Sequence, residues 1–399
     1  MLNRYKTIQQ ERMAEILNLI LGSHEITRGM IGKQLRLSPS SVAKYIKTLQ
    51  ELGLVREKGQ DTSTGGRRSA YLEFDPEVGV NIALVFNMSS IQGALVNPAG
   101  ALLEEKSLSI YPGIPASELL DRMMEMITSL RNEALKTGKR IFGIGLGIGD
   151  HLDMERGISH YYHLSEGWYE IPLKEIIENR FNLPFYLIND IDAGVLGEKY
   201  HGAGSGLENF VCIWVDETVG MGLVLNGQLY LGKNGFVGEI GHTRALENGP
   251  LCLCGNRGCL ETVTAESYIL GQCRRGLDGG VHSEVTRLCG GDPEKLTIRH
   301  IVEASNRGDR FCRNIFAETA GYLGRSLVDV ANILNPELIS LRGSVVDGNR
   351  FLYEEVSRLI AGQAVSPICD MVRVSFSSVP QEIRLPGVSS YILSRFFSE

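Results

Sequence analysis

The sequence predicts an α/β protein with a separate, mainly helical domain at its N-terminus. From about residue 78, segments typical of β-strands alternate with segments typical of helices, which is the pattern of α/β architecture. The chain has 399 residues, more than one ordinary core accommodates, and its composition of 43% hydrophobic and 22% charged residues is typical of a globular protein. These observations indicate two or three domains.

Charge is distributed unevenly along the chain. The segment 1–70 contains 12 Lys and Arg against 6 Asp and Glu, whereas the rest of the chain contains 28 against 41. A basic segment on an acidic protein indicates a polyanionic partner or, as the alternative, a basic face that is simply exposed to water. Charge alone does not decide between these two interpretations.

The cysteines and the N-terminus indicate the compartment. Eight cysteines in so long a chain, three of them clustered, fit a reducing cytoplasm better than a disulfide framework. The N-terminus has no signal-peptide pattern, and no apolar run approaches the roughly 20 residues of a membrane span. We therefore expect a cytoplasmic protein without a membrane partner.

The N-terminal segment has the pattern of a winged helix-turn-helix. Apolar residues recur with a helical period over residues 4–21, and a shorter helix is predicted over residues 28–35. Ser38 and Pro39 suit the N-cap and the first position of a third helix, which we expect to end near Gly53. The segments LVREKG and RRSAYLEF then read as two strands that enclose the loop QDTSTGG as a wing.

The third predicted helix suits the major groove of DNA. It would bury Val42, Ile46 and Leu49 and expose small polar and basic side chains on its opposite face, as the second helix of a helix-turn-helix does. The alternative is a small domain that binds protein, and we prefer DNA because the charge, the caps and the wing agree. The candidate DNA contacts are Ser40, Ser41, Lys44, Tyr45, Lys47, Arg67 and Arg68.

The larger segment contains two predicted strand hairpins. The first is VNIALVFNMSSIQGALVNPAG, and an amphipathic helix in ASELLDRMMEMITSLRNEALKTG and a buried strand in RIFGIGLGIGD follow it. In LPFYLINDIDAGVLGEKYHG, a strand leads to Asn189 and Asp190 and then to a helix. The second hairpin is NFVCIWVDETVGMGLVLNGQLYLG.

The segment CLCGNRGCLE, residues 252–261, predicts a metal site. Together with His242, which precedes it, Cys252, Cys254 and Cys259 offer one imidazole and three thiolates, a closed tetrahedral set for Zn²⁺. Its two glycines allow the chain to turn tightly around an ion. The alternative is a group of free core cysteines.

These motifs together resemble the ROK family of repressors and sugar kinases, specifically its repressor branch, which includes N-acetylglucosamine and xylose repressors. The resemblance rests on STGGRR in the wing, Gly167-Trp168, IND ending at Asp190, GEIGH at 238–242 and CLCGNRGCLE, and it covers nearly the whole chain. It implies an actin-like sugar-kinase fold of two lobes around a cleft. The implied domains are a winged helix-turn-helix at 1–75, a first lobe at 76–190 completed by a C-terminal helix at 382–399, and a second lobe at 191–381 with the zinc-binding loop.

The resemblance also implies a sugar pocket and a structural zinc that would lock the loop carrying its acidic residues. His242 would face two ways, with one ring nitrogen on the zinc and the other toward the sugar. Carboxylates suit such a pocket because each accepts hydrogen bonds from two hydroxyl groups. The implied sugar contacts are Asn189, Asp190, Glu239, His242 and Glu261.

Three loops depart from the phosphate-binding loops of the family's kinases. VFNM at 85–88 lacks the Asp-x-Gly-Gly pattern, DET at 216–218 replaces Gly-Thr-Gly, and LRGS at 341–344 has Arg342 in place of a glycine. Phosphoryl transfer depends on positioning and charge stabilisation, so we predict no enzyme activity and no catalytic residue, although Asp190 stands where the kinases have their general base. The loop GIGDHLD also lacks the usual Pro-Gly pair, which makes His151 a candidate extra contact.

The expected function is therefore that of a sugar-responsive transcriptional repressor, with double-stranded operator DNA and a small sugar or sugar derivative as its partners. Two alternatives stay open: an active sugar kinase that also binds DNA, and a DNA-binding regulator without a sugar effector. Helix-turn-helix proteins usually read two half-sites, so we expect a homodimer or a higher homo-oligomer.

Overall fold

The computed structural model describes residues 2–23, 25–59, 70–149, 151–233, 235–376 and 382–397. The chain forms two compact units, the first comprising residues 1–206 and 383–399 and the second residues 207–382. Both units combine helices with sheets, which confirms the α/β class. No helix in the described ranges is long and apolar enough to span a membrane.

The first unit begins with the N-terminal domain, which contains three helices and a small sheet. Its elements are α1 (Leu2–Leu21), β1 (Ile26–Thr27), α2 (Arg28–Gln34), α3 (Pro39–Glu51), β2 (Val55–Lys58) and β3 (Tyr71–Phe74). The strands form an antiparallel sheet in the order β1-β3-β2. The three predicted helices and both wing strands are confirmed, whereas β1 is too short to give a periodic signal. The wing loop, with Arg67 and Arg68, lies outside the described residues.

The boundaries of α3 follow from its sequence. The Ser38 side chain accepts a hydrogen bond from the backbone N–H of Ser41 at 3.2 Å, and Pro39 is the first helical residue. Gly53 lies just beyond the helix with φ 71°, a left-handed conformation that favours glycine. The buried face is formed by Val42, Ile46 and Leu49.

The rest of the first unit is built on a five-stranded sheet with helices on both faces, and its described residues form five further short strands outside that sheet. Its strands are β4 (Val80–Phe86), β5 (Ser90–Val96), β6 (Leu102–Ser109), β7 (Ile114–Pro115), β8 (Ile141–Ile148), β9 (Leu152–Asp153), β10 (Ile158–Tyr161), β11 (Ser165–Glu166), β12 (Tyr169–Ile171) and β13 (Phe185–Asn189). Its helices are α4 (Ala116–Thr137), α5 (Leu173–Phe181), α6 (Asp190–His201) and α14 (Arg384–Phe396). The main sheet has the order β13-β8-β4-β5-β6, while β7 and β11 pair separately and β9, β10 and β12 form a small sheet.

The second unit repeats this plan around its own core. Its strands are β14 (Phe210–Val215), β15 (Val219–Leu225), β16 (Gln228–Leu229), β17 (Leu338–Arg342) and β18 (Arg373–Phe376), in the order β16-β15-β14-β17-β18. Its α-helices are α7 (Glu261–Thr264), α8 (Glu266–Asp278), α9 (Glu284–Leu288), α10 (Ile298–Asn306), α11 (Arg310–Leu334), α12 (Arg350–Gln363) and α13 (Ile368–Met371). Short 3₁₀ helices cover Ile240–His242 and Pro293–Lys295.

The boundary between the two units differs from the predicted one. The units divide between Gly206 and Leu207, whereas the lobes were expected to divide after residue 190. The reason is that α6 packs along α14, and a Cβ atom added at Gly197 would lie only 2.1 Å from the backbone oxygen of Ile383. Helix α6, which follows β13, therefore belongs to the first unit. Its packing against α14 is a tertiary contact that a local sequence pattern does not indicate.

Candidate functional site

Four side chains of the second unit converge on one point. The ligand atoms of His242, Cys252, Cys254 and Cys259 all lie within 4.8 Å of one another. His242 Nδ1 is 3.6 Å from Cys252 Sγ, and Cys254 Sγ is 3.6 Å from Cys259 Sγ. A tetrahedral site with metal–sulfur bonds of about 2.3 Å has edges of about 3.8 Å. The spacing of the cluster therefore fits a single metal ion at its centre.

The backbone around the cluster holds the four ligands close together. His242 ends the first 3₁₀ helix, and a bridge between Arg244 and Cys259 brings the two ends of the loop side by side. Gly258 has φ 72°, and a Cβ atom there would lie 1.7 Å from the backbone oxygen of Leu246. Only glycine fits at this approach, so Gly258, one of the two glycines of the CLCGNRGC segment, allows the backbone to pass close to Leu246.

The three thiols have different proton affinities. Burial raises the pKa of Cys259 to about 12 and also raises the pKa of Cys252. The backbone N–H of Asn256 is the main cause that lowers the pKa of Cys254 to about 7. A metal that binds here must displace protons from the two buried thiols, which a divalent cation does because it binds the thiolate form.

Glu261 connects the cluster to strand β15. Its Oε2 accepts a hydrogen bond from the backbone N–H of Val219 at 3.0 Å, and its Oε1 lies 4.0 Å from Cys252 Sγ. One carboxylate oxygen therefore holds the backbone of β15, and the other stands next to a candidate metal ligand. The family resemblance implied a sugar contact for Glu261, whereas nothing in the sequence indicated its contact with Val219.

The imidazole of His242 faces two different groups. Its Nδ1 points to Cys252, while its Nε2 lies 3.8 Å from Oε2 of Glu239. The Glu239 side chain is 63% exposed. The nitrogen that faces the cysteines is therefore Nδ1, and Nε2 shares an accessible surface with a carboxylate. Glu239, His242 and Glu261 thus form one neighbourhood in the second unit.

Asn189 and Asp190 lie in the first unit, at the junction of β13 and α6. Asn189 Oδ1 caps the helix by accepting hydrogen bonds from the backbone N–H groups of Ile191 at 2.9 Å and Asp192 at 3.4 Å. Asp190 Oδ2 lies 3.7 Å from a guanidinium nitrogen of Arg384. Burial first, and the Asp190 charge second, raise the pKa of Asp192 to about 7. Both predicted sugar contacts therefore also support the local structure.

The candidate contact His151 follows Asp150, which lies outside the described residues. His151 is exposed, and its backbone oxygen accepts a hydrogen bond from the N–H of His160 at 2.9 Å. This contact belongs to the pairing of β9 with β10.

Five of the predicted DNA contacts lie on α3. The hydroxyl oxygens of Ser40 and Ser41 each lie 2.9 Å from that of Ser38, so the start of the helix has a cluster of three hydroxyl groups. Ser40, Lys44 and Lys47 are exposed, and Ser41 and Tyr45 are half-buried. The structure thus places five of the seven candidates on one helix and does not describe the two wing arginines.

Other basic residues of the N-terminal domain were not predicted as contacts. On β2, Arg56 and Lys58 both form ion pairs with Glu73 of the neighbouring strand, at 2.8 and 3.1 Å. Lys33 in α2 and Arg36 just beyond it are exposed. Because the pairing of β2 with β3 neutralises its cations, Lys33 and Arg36 are the stronger additional candidates. The excess of positive charge in this segment is the signal that could have found them.

The loops DET and LRGS are tied to each other in the second unit. Asp216 Oδ1 accepts a hydrogen bond from the backbone N–H of Ser344 at 2.5 Å. The Ser344 hydroxyl donates to Glu266 Oε2 at 2.5 Å, and the Glu266 N–H donates to the backbone oxygen of Asp216 at 2.8 Å. Burial and, to a smaller extent, the Asp216 charge raise the pKa of Glu266. The two loops thus close around carboxylates of the chain itself.

The chain is similar to known proteins over nearly its whole length. A family model described as "ROK family" matches residues 86–391. The chain is 28% identical over 393 residues to a putative xylose repressor from Caldicellulosiruptor sp. (strain Rt8B.4), and the match covers 98% of each chain. It is also 28% identical over 360 residues to the DNA-binding transcriptional dual regulator NagC of Escherichia coli (strain K12), covering 90% of this chain and 86% of NagC.

Solved structures share the fold. The crystal structure of a ROK family transcriptional regulator, a homolog of the E. coli MLC protein, has a TM-score of 0.80 at 24% identity and covers 98% of this chain and 97% of its own. A ROK family glucokinase from Streptomyces griseus has a TM-score of 0.69 at 22% identity, covering 78% of this chain and 99% of the glucokinase. The kinase match thus leaves about a fifth of this chain uncovered.

Proposed function

Because the chain belongs to the ROK family, we propose that it is a sugar-responsive transcriptional repressor without sugar-kinase activity. The observation that carries this proposal is α3, whose apolar face is buried while Ser40, Lys44 and Lys47 face water. Such a helix in a helix-turn-helix reads the major groove. The named repressors similar to this chain match it over 90% of its length or more, which supports the same function.

We propose that His242, Cys252, Cys254 and Cys259 hold one structural Zn²⁺. The supporting observation is the donor set, one nitrogen and three sulfurs at tetrahedral spacing, which suits zinc better than harder cations. All four positions come from the protein, so the ion would have no open coordination site for catalysis. It would fix the loop that carries Glu239 and Glu261.

We propose that acidic and amide side chains of the chain contact a sugar effector. Carboxylates accept hydrogen bonds from two hydroxyl groups at once, and the exposed Glu239 beside His242 Nε2 offers such acceptors. The contacts assigned are Asn189 and Asp190 in the first unit and Glu239, His242 and Glu261 in the second. Relatives of this chain are named after xylose and N-acetylglucosamine, which makes these two sugars the first to test.

The absence of kinase activity is proposed from the closed loops of the second unit. Asp216 places a negative charge where a phosphate would have to approach, and its carboxylate already accepts the Ser344 N–H. Phosphoryl transfer needs backbone donors and positive charge at this place. We expect no sugar-dependent ATP hydrolysis above background, and turnover that disappears in Asp190→Asn would contradict this.

The test of repressor function uses the full-length chain. A DNA sequence selected from a random library should bind specifically, and Lys44→Ala should weaken all selected sites alike and lower the salt slope by about one. Lys174→Ala, on α5 of the first unit, is the matched control that keeps full affinity. Xylose or N-acetylglucosamine should then release the selected DNA. Helix-turn-helix domains read half-sites in pairs, so we also propose a homodimer or higher homo-oligomer on the operator.

If no DNA sequence is enriched by the full chain, the repressor proposal fails. If the protein binds DNA, but neither sugar binds to it or changes its affinity for DNA, the protein is a DNA-binding regulator that does not respond to these sugars.

A further inference from the structure

Helix α6 runs from the candidate sugar residues to the N-terminal domain. It begins at Asp190, directly after its cap Asn189, and ends at His201. Twelve residues at about 1.5 Å per residue span roughly 18 Å. Lys199 and Tyr200 are in its last turn. The two ends of one helix therefore face the two parts of the first unit to which the proposed function assigns ligand binding and DNA binding.

The last turn of α6 contacts the C-terminal end of α1. A Cβ atom added at Gly22, the residue after α1, would lie 3.4 Å from the Tyr200 ring and 3.7 Å from Lys199 Nζ. Tyr200 is only 8% exposed, and Lys199 Nζ lies 5.0 Å from the centre of its ring. Burial lowers the pKa of Lys199 and raises that of Tyr200 to about 12, as expected for groups within a packed contact.

Lys199 also supplies a charge that α1 lacks. The last turn of α1 has no basic residue, and a cation near a helix C-terminus stabilises the helix, most of all when the cation is partly buried. The ammonium group of Lys199 is at this place. The contact is therefore electrostatic as well as steric, and it depends on where α6 lies.

Helix α14 prevents α6 from moving alone. A Cβ atom at Gly387 would lie 1.7 Å from the backbone oxygen of Ala193, so the two helices touch through their backbones. At one end Asp190 pairs with Arg384, and toward the other His201 Nε2 lies 2.9 Å from the Ser390 hydroxyl oxygen. We call these two helices the α6–α14 pair. A displacement at Asp190 is transmitted along the pair because packed backbones do not deform continuously.

The α6–α14 pair contacts the N-terminal domain at a second point. Just beyond the end of α14, the Phe397 ring lies 5.8 Å from the ring of Phe74 in β3. Phe142 of β8 packs against Phe396 and Phe397 at 5.5 and 6.0 Å. Two separate contacts, one on α1 and one on β3, set an orientation, whereas one contact alone would leave a pivot.

We propose that Lys199 and Tyr200 are positioning residues that fix α1, and with it the N-terminal domain, to the α6–α14 pair. Through this contact a change at Asp190 alters how firmly the domain is held. The inference rests on the proposed function and specifies its regulation. A ligand that engages Asp190 changes DNA affinity only if it prefers one position of the pair.

The test measures hydrogen exchange of residues 11–21 of α1 in the full-length chain, without DNA or sugar. Asp190→Asn removes the charge that pairs with Arg384, and we expect it to raise exchange in this segment at least about fivefold, the lower end of typical coupling. In the Lys199→Met background the same change should have no further effect on α1. Lys199→Arg keeps the charge and should restore the response.

Lys174→Met on α5 is the control that should leave the Asp190→Asn effect intact, and unchanged exchange in α4 verifies that each variant is folded. If Lys199→Met does not fold, Lys199→Gln takes its place. No effect of Asp190→Asn on α1, or an equal effect with and without Lys199, overturns the inference. Because the measurement uses neither DNA nor sugar, such a result leaves the repressor proposal standing, and failed DNA selection would leave this coupling measurable.

Discussion

The main sheets of the two units have the same strand order but are completed by different means. In each, the central strand pairs antiparallel with its hairpin partner, which pairs antiparallel with a third strand at that edge. On its other side the central strand pairs parallel with a later strand, which pairs parallel with a last strand at the other edge. The central strands are β4 and β14. The first unit closes one face with the backbone contact of the α6–α14 pair, whereas the second has a thiol-rich loop and polar ties between its turns.

This difference indicates that one sheet plan tolerates two kinds of stabilisation. Close backbone packing requires residues without a Cβ atom, so the packing of α6 against α14 and its N-cap in the first unit depends on Gly197 and Gly387. The second unit depends on specific donors and acceptors, each of which can be removed singly. Substitutions in the two units should therefore lower the free energy of unfolding for different physical reasons and by different amounts.

The largest effect is expected from removing metal from the second unit. Structural zinc contributes about 10–16 kcal/mol in small metal-dependent domains, and several kcal/mol is expected here because the unit has its own apolar core. Elemental analysis should give one zinc per chain, none in Cys259→Ser, and one in the control Cys369→Ser, whose thiol lies outside the cluster. Backbone hydrogen exchange should rise in residues 251–259 of Cys259→Ser. A zinc-free wild type with full protection of this loop would exclude the site.

The next effect concerns the first unit. In Gly387→Ala, a Cβ atom 1.7 Å from the Ala193 oxygen forces the α6–α14 pair apart, and we expect a loss of unfolding free energy of about 3 kcal/mol. The control is Gly362→Ala on α12, where no atom of the described residues lies within 4 Å of the new Cβ and alanine should stabilise the helix by up to about 1 kcal/mol. Urea unfolding, monitored by hydrogen exchange, assigns each loss of unfolding free energy to its unit. Equal stability of the two variants would mean that the helices are not in backbone contact.

The sequence indicates the candidate metal cluster more directly than the contact between α6 and α14, because the two features span different distances along the chain. The candidate metal ligands all belong to one short segment, from His242 to Cys259, so their spacing indicates both the turn and the proposed chemistry. The contact of Gly387 with Ala193 joins the C-terminal helix to a helix in the middle of the chain, which no local period predicts. The division of the chain after Gly206 depends on the same contact between distant segments.

The candidate site shows a similar limit at the level of single side chains. The sequence indicated that Asn189 and Glu261 are polar side chains at the ends of a strand and a loop. It did not indicate which backbone groups these side chains contact. Asn189 caps α6, and Glu261 holds the N–H of Val219. An N-cap is visible in sequence as Asn before a helix, whereas the acceptor of Val219 is a residue 42 positions away. Local roles were therefore predictable and long-range ones were not.

A smaller effect is expected at the hairpin turn of the second unit. Asp216→Ala leaves the Ser344 N–H without its carboxylate acceptor and should cost about 1–3 kcal/mol. Part of this loss is offset because the Asp216 charge, which raises the pKa of Glu266, is also removed. Asp216→Asn keeps an acceptor oxygen and should lose less than the alanine variant. Urea unfolding of the three proteins checks the order, and a loss as large in the asparagine variant would assign the effect to charge.

The smallest effect is expected at the corresponding turn of the first unit. There the backbone N–H of Asn87 donates to the oxygen of Ser90 at 2.8 Å, while the buried Asn87 Oδ1 has no hydrogen-bond partner in the part of the chain that the structure describes. Asn87→Ala removes this acceptor and keeps the backbone bond, so the change in unfolding free energy should stay below about 1 kcal/mol and can be stabilising. The comparison with Asp216→Ala is direct, because both residues begin the turn between the first two strands of their sheets. A loss of unfolding free energy in Asn87→Ala as large as that in Asp216→Ala would show that both turns depend on a side chain. The contrast between the two units would then be confined to the α6–α14 pair and the loop of the candidate metal ligands.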